Sequence, residues 1–65
     1  MSSKNNKSIF IKADEVMVVL GVSRTYAYEI IKTLNDELSQ RGALVIAGRT
    51  NREYFYERLN GKLSA

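Results

Sequence analysis

The apolar residues of the chain begin with a short β-prone run and continue in a helical pattern. Residues 9–11 predict a strand, which is too short to stand alone and needs a partner strand. Residues 13–20 predict a first helix, because their aliphatic side chains recur at i, i+3 and i+4. These side chains are Val16, Val19 and Leu20. Valine is a poor helix former, so a strand over residues 16–20 remains an alternative.

A glycine and a serine separate this segment from a second, longer helix. Gly21 suits the end of the first helix because glycine readily adopts a positive φ, and Ser23 suits the N-cap of the second. The second helix is predicted over residues 24–40, and Gly42 follows it. Its apolar stripe consists of Ala27, Ile30, Ile31, Leu34 and Leu38. Two helices joined by so short a turn are typical of a helix-turn-helix.

A β-hairpin is predicted after the second helix. Residues 44–46 are apolar and mostly β-branched, and residues 47–49 form a turn that contains a glycine. The returning strand is very short and is expected at residues 49–50. The strand of residues 9–11 is expected to complete this small sheet beside Val45.

A third helix is predicted to begin at a capping box. Thr50 and Glu53 have the Thr-x-x-Glu spacing in which each side chain bonds a backbone N–H of the other residue. The apolar face of this helix comprises Phe55 and Leu59, flanked by Tyr54 and Tyr56. Asn60 and Gly61 are expected to end it.

The order strand, helix, turn, helix, hairpin, helix predicts the fold class. It is α+β and mainly helical, a winged helix-turn-helix with three helices and a small β-hairpin as the wing. The domain is expected to span residues 9–61, between a flexible N-terminal tail, 1–8, and a C-terminal tail, 62–65. Lys4 and Lys7 can touch phosphates, although a solvated tail is the favoured interpretation.

The composition excludes several classes of chemistry. The chain has 65 residues with no cysteine and no histidine, so it has neither a thiolate ligand nor the usual general base. We therefore expect no enzyme activity, no metal, no cofactor and no small-molecule ligand. Ten Lys and Arg against seven Asp and Glu give a net charge of +3, which suits an acidic partner such as DNA. The absence of a membrane span, an export signal and cysteine predicts a cytoplasmic, nucleoid-associated protein.

The face of the second helix opposite its apolar stripe carries candidates for contact with double-stranded DNA. Recognition helices contact base edges with their N-terminal part. Arg24 can bond guanine bidentately, and Thr25 can bond a base or pack its methyl group against thymine. The full set on this helix is Ser23, Arg24, Thr25, Tyr28 and Lys32. Simpler interpretations stay open: capping for Ser23, cover of the core edge for Tyr28, and solvation for Lys32.

The predicted wing supplies a second group of candidates. Arg49 lies at its tip, with Arg41 before it and Arg52 just after it. A basic hairpin beside a recognition helix commonly contacts the DNA backbone or the minor groove. For Arg52 the alternative is that it only decorates the third helix. Acidic residues further along the second helix restrict groove entry to its first two turns; they are Glu29, Asp36 and Glu37.

Residues 13–31, with their Gly21-Val22-Ser23 turn, resemble the helix-turn-helix of excisionase-type and MerR-like small DNA-binding proteins. The segment 47–55, which contains a Gly-Arg pair, resembles the wing of these proteins and the start of their closing helix. More narrowly, residues 26–38 resemble small regulators of Gram-positive mobile elements and phages. The resemblance covers residues 9–61.

The resemblance implies a protein that binds beside the end of a mobile element and directs an integrase toward excision without breaking bonds itself. Related proteins regulate transcription of the same elements. The chain departs from the family pattern in three places: Lys12 stands where a capping Ser or Thr is usual, the second helix is longer, and the wing's return strand is shorter.

A domain of this size buries little surface on DNA, which limits the affinity of a single copy. We therefore expect a monomer that binds cooperatively, with further copies on adjacent sites or with an integrase. The alternative function is a protein-binding adaptor, such as an antirepressor or a replication-control module, on the same fold.

Overall fold

The structure, a computed structural model, describes residues 9–61. The tails expected at 1–8, with Lys4 and Lys7, and at 62–65 lie outside the described residues. The elements follow in the order β1 (Phe10–Lys12), α1 (Ala13–Leu20), α2 (Arg24–Gln40), β2 (Arg49–Asn51) and α3 (Arg52–Leu59).

Helices α1 and α2 form the helix-turn-helix, as the sequence predicts. Helix α1 starts without a side-chain cap, since Lys12 makes no capping hydrogen bond, and it ends at Gly21, whose φ is 68°. Two residues later the Ser23 Oγ accepts a hydrogen bond from the Tyr26 N–H at 3.2 Å and caps α2. The predicted bounds of both helices are confirmed, and the alternative strand over residues 16–20 is excluded.

The sheet differs from the predicted hairpin. Strand β1 pairs antiparallel with β2, in the register Phe10 with Asn51, Ile11 with Thr50, and Lys12 with Arg49. Residues 44–46 form no strand, and only an isolated bridge joins Ile46 to Arg49. The prediction that residues 9–11 lie beside Val45 is therefore wrong.

Burial explains this choice of partners. Ile11 and Thr50 are 0% and 1% exposed where the two strands cover the core, whereas Leu44 is 86% exposed. Pairing β1 with β2 thus removes the apolar surface of Ile11 from water, whereas Leu44 stays in solvent. The wing is a tight turn closed by a hydrogen bond of 3.3 Å from the Arg49 N–H to the Ile46 carbonyl.

Helix α3 begins one residue later than the predicted capping box requires. The Asn51 Oδ1 accepts the capping hydrogen bond from the Tyr54 N–H at 2.8 Å, while Thr50 lies buried in β2. The capping-box prediction is therefore wrong. The buried face consequently carries Tyr54 and Phe55, and Leu59 remains 46% exposed.

All three helices and the sheet share one core. Its buried hydrophobic residues are Ile11, Ala13, Val16, Ala27, Ile31, Leu34, Tyr54 and Phe55. The predicted position of Val19 in this core is wrong, because Val19 is 39% exposed and Met17 packs against the core instead. The fold is α+β and mainly helical, and it is a winged helix-turn-helix with a short wing.

Candidate nucleic-acid interface

The N-terminal half of α2 presents an exposed polar surface. Thr25, Tyr28 and Lys32 are exposed and lie at i, i+3 and i+7, which places them on one face of the helix. Arg24 lies one turn before Tyr28 on the edge of the same face. Ser23 is exposed as well, although its side chain serves the cap. The structure thus brings these five predicted residues to one surface.

Arg24 is held by a residue of the preceding helix. Its Nη1 donates to the Asp14 Oδ1 at 2.6 Å, and both side chains are exposed. The hydrogen bond and charge of Asp14, followed by a hydrogen bond with Tyr28, raise the pKa of Arg24. From the sequence, Asp14 is expected only to favour the dipole of α1. Its contact with Arg24 crosses the turn and leaves no periodic signal in the sequence.

Asn35 of α2 fixes the wing to the recognition helix. Its Nδ2 donates to the Ile46 carbonyl at 3.1 Å and to the Arg49 carbonyl at 2.9 Å. Both ends of the wing turn therefore attach to one side chain. Asn35 is not among the predicted site residues, although its place inside a long helix is a signal, because asparagine disfavours helix interiors.

Arg49 is less exposed than its predicted position at the tip of the wing implies. It is half-buried, and its Nε is buried with no hydrogen-bond partner among residues 9–61. In the sheet Arg49 pairs with Lys12 of β1. Gly48, with a φ of 86°, allows the chain to turn immediately before it.

Arg52 links three elements from within the structure. Its two terminal nitrogens bind both carboxylate oxygens of Glu15, with 3.1 Å between Nη2 and Oε1, and Nη2 also donates to the Phe10 carbonyl at 3.1 Å. Its side chain is 17% exposed. Arg52 is therefore neither a solvated side chain on the surface of α3 nor an exposed cation of the wing. Glu15 and the Phe10 carbonyl thus hold this guanidinium against α1 and β1.

Arg41 lies at the far end of α2, roughly 25 Å along the helix from Arg24. Its guanidinium lies over the ring of Tyr54, 5.0 Å from the centroid. The Tyr54 hydroxyl donates to Glu37 at 2.6 Å, and Arg58 donates to the same carboxylate at 3.0 Å. The Arg58 and Tyr54 hydrogen bonds lower the pKa of Glu37, and the bond to Glu37 raises that of Tyr54. Arg41 thus belongs to a cluster joining α2 and α3.

An open apolar groove lies on another side of α2. Its volume is about 390 Å³, and its apolar lining is Leu20, Tyr26, Ile30, Leu34, Phe55 and Leu59. Within the described part of the chain no helix has the length and apolar character to cross a membrane. Residues 9–61 hold no cluster of acidic side chains that could bind a metal ion.

These features define a winged helix-turn-helix protein whose second helix carries an exposed polar face. No protein-family model matches the chain, and no solved structure matches it. The chain is 37% identical over 51 residues to the ICEBs1 excisionase of Bacillus subtilis (strain 168), which covers 78% of this chain and 80% of that protein. The chain therefore belongs to the family of this excisionase.

Proposed function

We propose that the protein is an excisionase, a recombination directionality factor of a Gram-positive mobile element, and that it acts as a sequence-specific double-stranded DNA-binding protein. Its relationship to the ICEBs1 excisionase supports the first part. The second part rests on one observation: Arg24, Thr25, Tyr28 and Lys32 share an exposed surface in the N-terminal half of α2. In this role it directs an integrase, which breaks and joins the strands.

In the proposed complex the first two turns of α2 enter the major groove. Arg24 bonds guanine, Thr25 contacts the neighbouring base, and Tyr28 and Lys32 bind phosphates. The N-terminus of α2, capped by Ser23, faces a further phosphate. The acidic residues Glu29 and Asp36 keep the rest of the helix away from the backbone.

The wing makes the second contact in this proposal. Arg49 reaches the backbone or the minor groove beside the recognition helix, and Asn35 holds the turn in place for it. Arg41 and Arg52 stay in the proposed set as weaker phosphate contacts, since each guanidinium already contacts another residue of the chain. Adjacent copies of the chain and an integrase complete the assembly on DNA.

The test measures binding to labelled duplexes from the ends of the mobile element, by fluorescence anisotropy over a range of salt concentrations. We expect Arg24→Ala to cost about 1–3 kcal/mol on the preferred site and to relax sequence preference. Arg49→Ala should weaken binding to all duplexes and reduce the salt slope by about one unit. Arg58→Ala, with the same change of charge on α3, is the matched control. Equal effects of all three variants would contradict the proposed face.

The apolar groove favours one alternative, a protein-binding adaptor. In that function the protein would bind its partner through Tyr26 and Leu59 of the groove, which are 53% and 46% exposed. Under that function Tyr26→Ala abolishes partner binding, while Arg24→Ala and Arg49→Ala leave it intact. An NMR titration separates the two functions, because DNA should shift the amide signals of residues 23–32 and 48–49 and leave unchanged those of Phe55 and Leu59, which line the groove from α3.

A further inference from the structure

The ion pair between Asp14 and Arg24 joins the first turn of α1 to the first residue of α2. Its two atoms lie 2.6 Å apart, and the side chains of Arg24 and Asp14 are 57% and 76% exposed. So exposed a pair contributes little to folding stability. The main effect of the ion pair is therefore to fix the direction of the Arg24 side chain.

The pair leaves the guanidinium available for a second partner. An arginine carries five N–H donors in a planar fork, and Asp14 engages Nη1. The edge formed by Nη2 and Nε keeps the geometry that matches O6 and N7 of guanine. A side-chain hydrogen bond with Tyr28, one turn along α2, also raises the pKa of Arg24. Arg24 is thus oriented before it meets DNA, and it loses less rotamer freedom on binding.

The charge of Asp14 favours specific binding through Arg24 but weakens nonspecific binding to DNA. The carboxylate offsets the positive charge of Arg24 and repels phosphates, so it weakens attraction to any duplex. A guanine edge is recognised by hydrogen bonds that Asp14 leaves in place. Removing the charge should therefore raise affinity for arbitrary DNA and lower the discrimination among bases.

We propose that Asp14 is a positioning residue that orients Arg24 for guanine and so sets the base specificity of the protein. This inference rests on the proposed DNA-binding function. It assigns to α1 a part in sequence recognition through a side chain that itself bonds no base.

The experiment selects bound duplexes from a pool with a randomised central segment and determines their sequences. It uses the wild-type protein, Asp14→Asn, Arg24→Ala and the double variant. Asp36→Asn is the control, since it removes the same charge from an exposed position of α2 that has no ion pair within residues 9–61. Thermal unfolding of each variant checks that the fold is kept.

We expect Asp14→Asn to lose about two- to fivefold in preference for guanine, at the same base pair where Arg24→Ala loses preference. The double variant should lose no more than Arg24→Ala alone, and Asp36→Asn should keep the wild-type preference. If Asp14→Asn instead keeps that preference and only raises affinity for all duplexes, as Asp36→Asn does, the positioning role is refuted and DNA binding stands. If the wild-type protein enriches no sequence, the proposed function itself fails.

Discussion

The attachment of the wing through Asn35 leads to a prediction with a definite magnitude. Asn35→Ala removes two hydrogen bonds, to the Ile46 and Arg49 carbonyls at 3.1 and 2.9 Å. Each such bond contributes about 0.5–1.5 kcal/mol, and alanine returns at most about 0.7 kcal/mol through its helix propensity. The free energy of unfolding should therefore fall by about 0.3–2.3 kcal/mol. For a domain of this size that lowers Tm by about 1–18 °C.

Urea and thermal unfolding followed by circular dichroism measure this change. Asp36→Ala, at the next and exposed position of α2, gains helix propensity without losing a bond to the wing and should be neutral or slightly stabilising. Asn35→Asp should be worse than Asn35→Ala, because it places a carboxylate against two carbonyl oxygens. If Asn35→Ala were as stable as Asp36→Ala, the wing would not depend on Asn35 and the reasoning would be wrong.

Three further predictions concern the helices that support the recognition surface. Arg52→Gln should lower the free energy of unfolding by about 1–3 kcal/mol, whereas Arg58→Gln, which breaks an exposed pair, should cost at most about 1 kcal/mol in the same urea titration. The pKa of Glu37 is lowered below 4.5 by Arg58 and then by Tyr54, so this carboxylate stabilises the fold above pH 4.5 and loses that effect as the pH falls through its lowered pKa. Glu37→Gln should therefore flatten the acid limb of a stability-versus-pH curve; an unchanged limb would show that the pair is not formed. Gly21→Ala should cost about 1–2 kcal/mol through its backbone alone, since a Cβ at its φ of 68° meets no atom within 4 Å, and a cost near zero would contradict the left-handed turn.

Local signals in the sequence predict the helix-turn-helix correctly. Ser23 and the apolar stripe define α2 because capping and helical periodicity depend on residues three or four positions apart. The face opposite the stripe follows from the same periodicity, so the surface bearing Thr25 and Lys32 is predicted as well.

Contacts between distant residues escape this kind of prediction. Thr50 has the spacing of a capping residue, but its burial against Ile11 depends on a strand that lies near the other end of the described chain. The partners of Arg24 and Arg52 likewise come from α1, 10 and 37 positions away. Charge alone marks both arginines as DNA candidates, and only the tertiary structure separates an exposed one from one that is mostly enclosed.

The pairing of β1 with β2 has a consequence for the order in which the protein folds. Arg52 contacts Phe10, 42 positions away, and the loop that this contact closes contains the whole helix-turn-helix. Closing this loop costs conformational entropy before the contacts that it allows have formed. The packing of α1 and α2 is therefore fully stabilised only after residues 49–55 have packed against these helices. On a ribosome, α2 therefore reaches its final stability only after β2 and α3 have emerged.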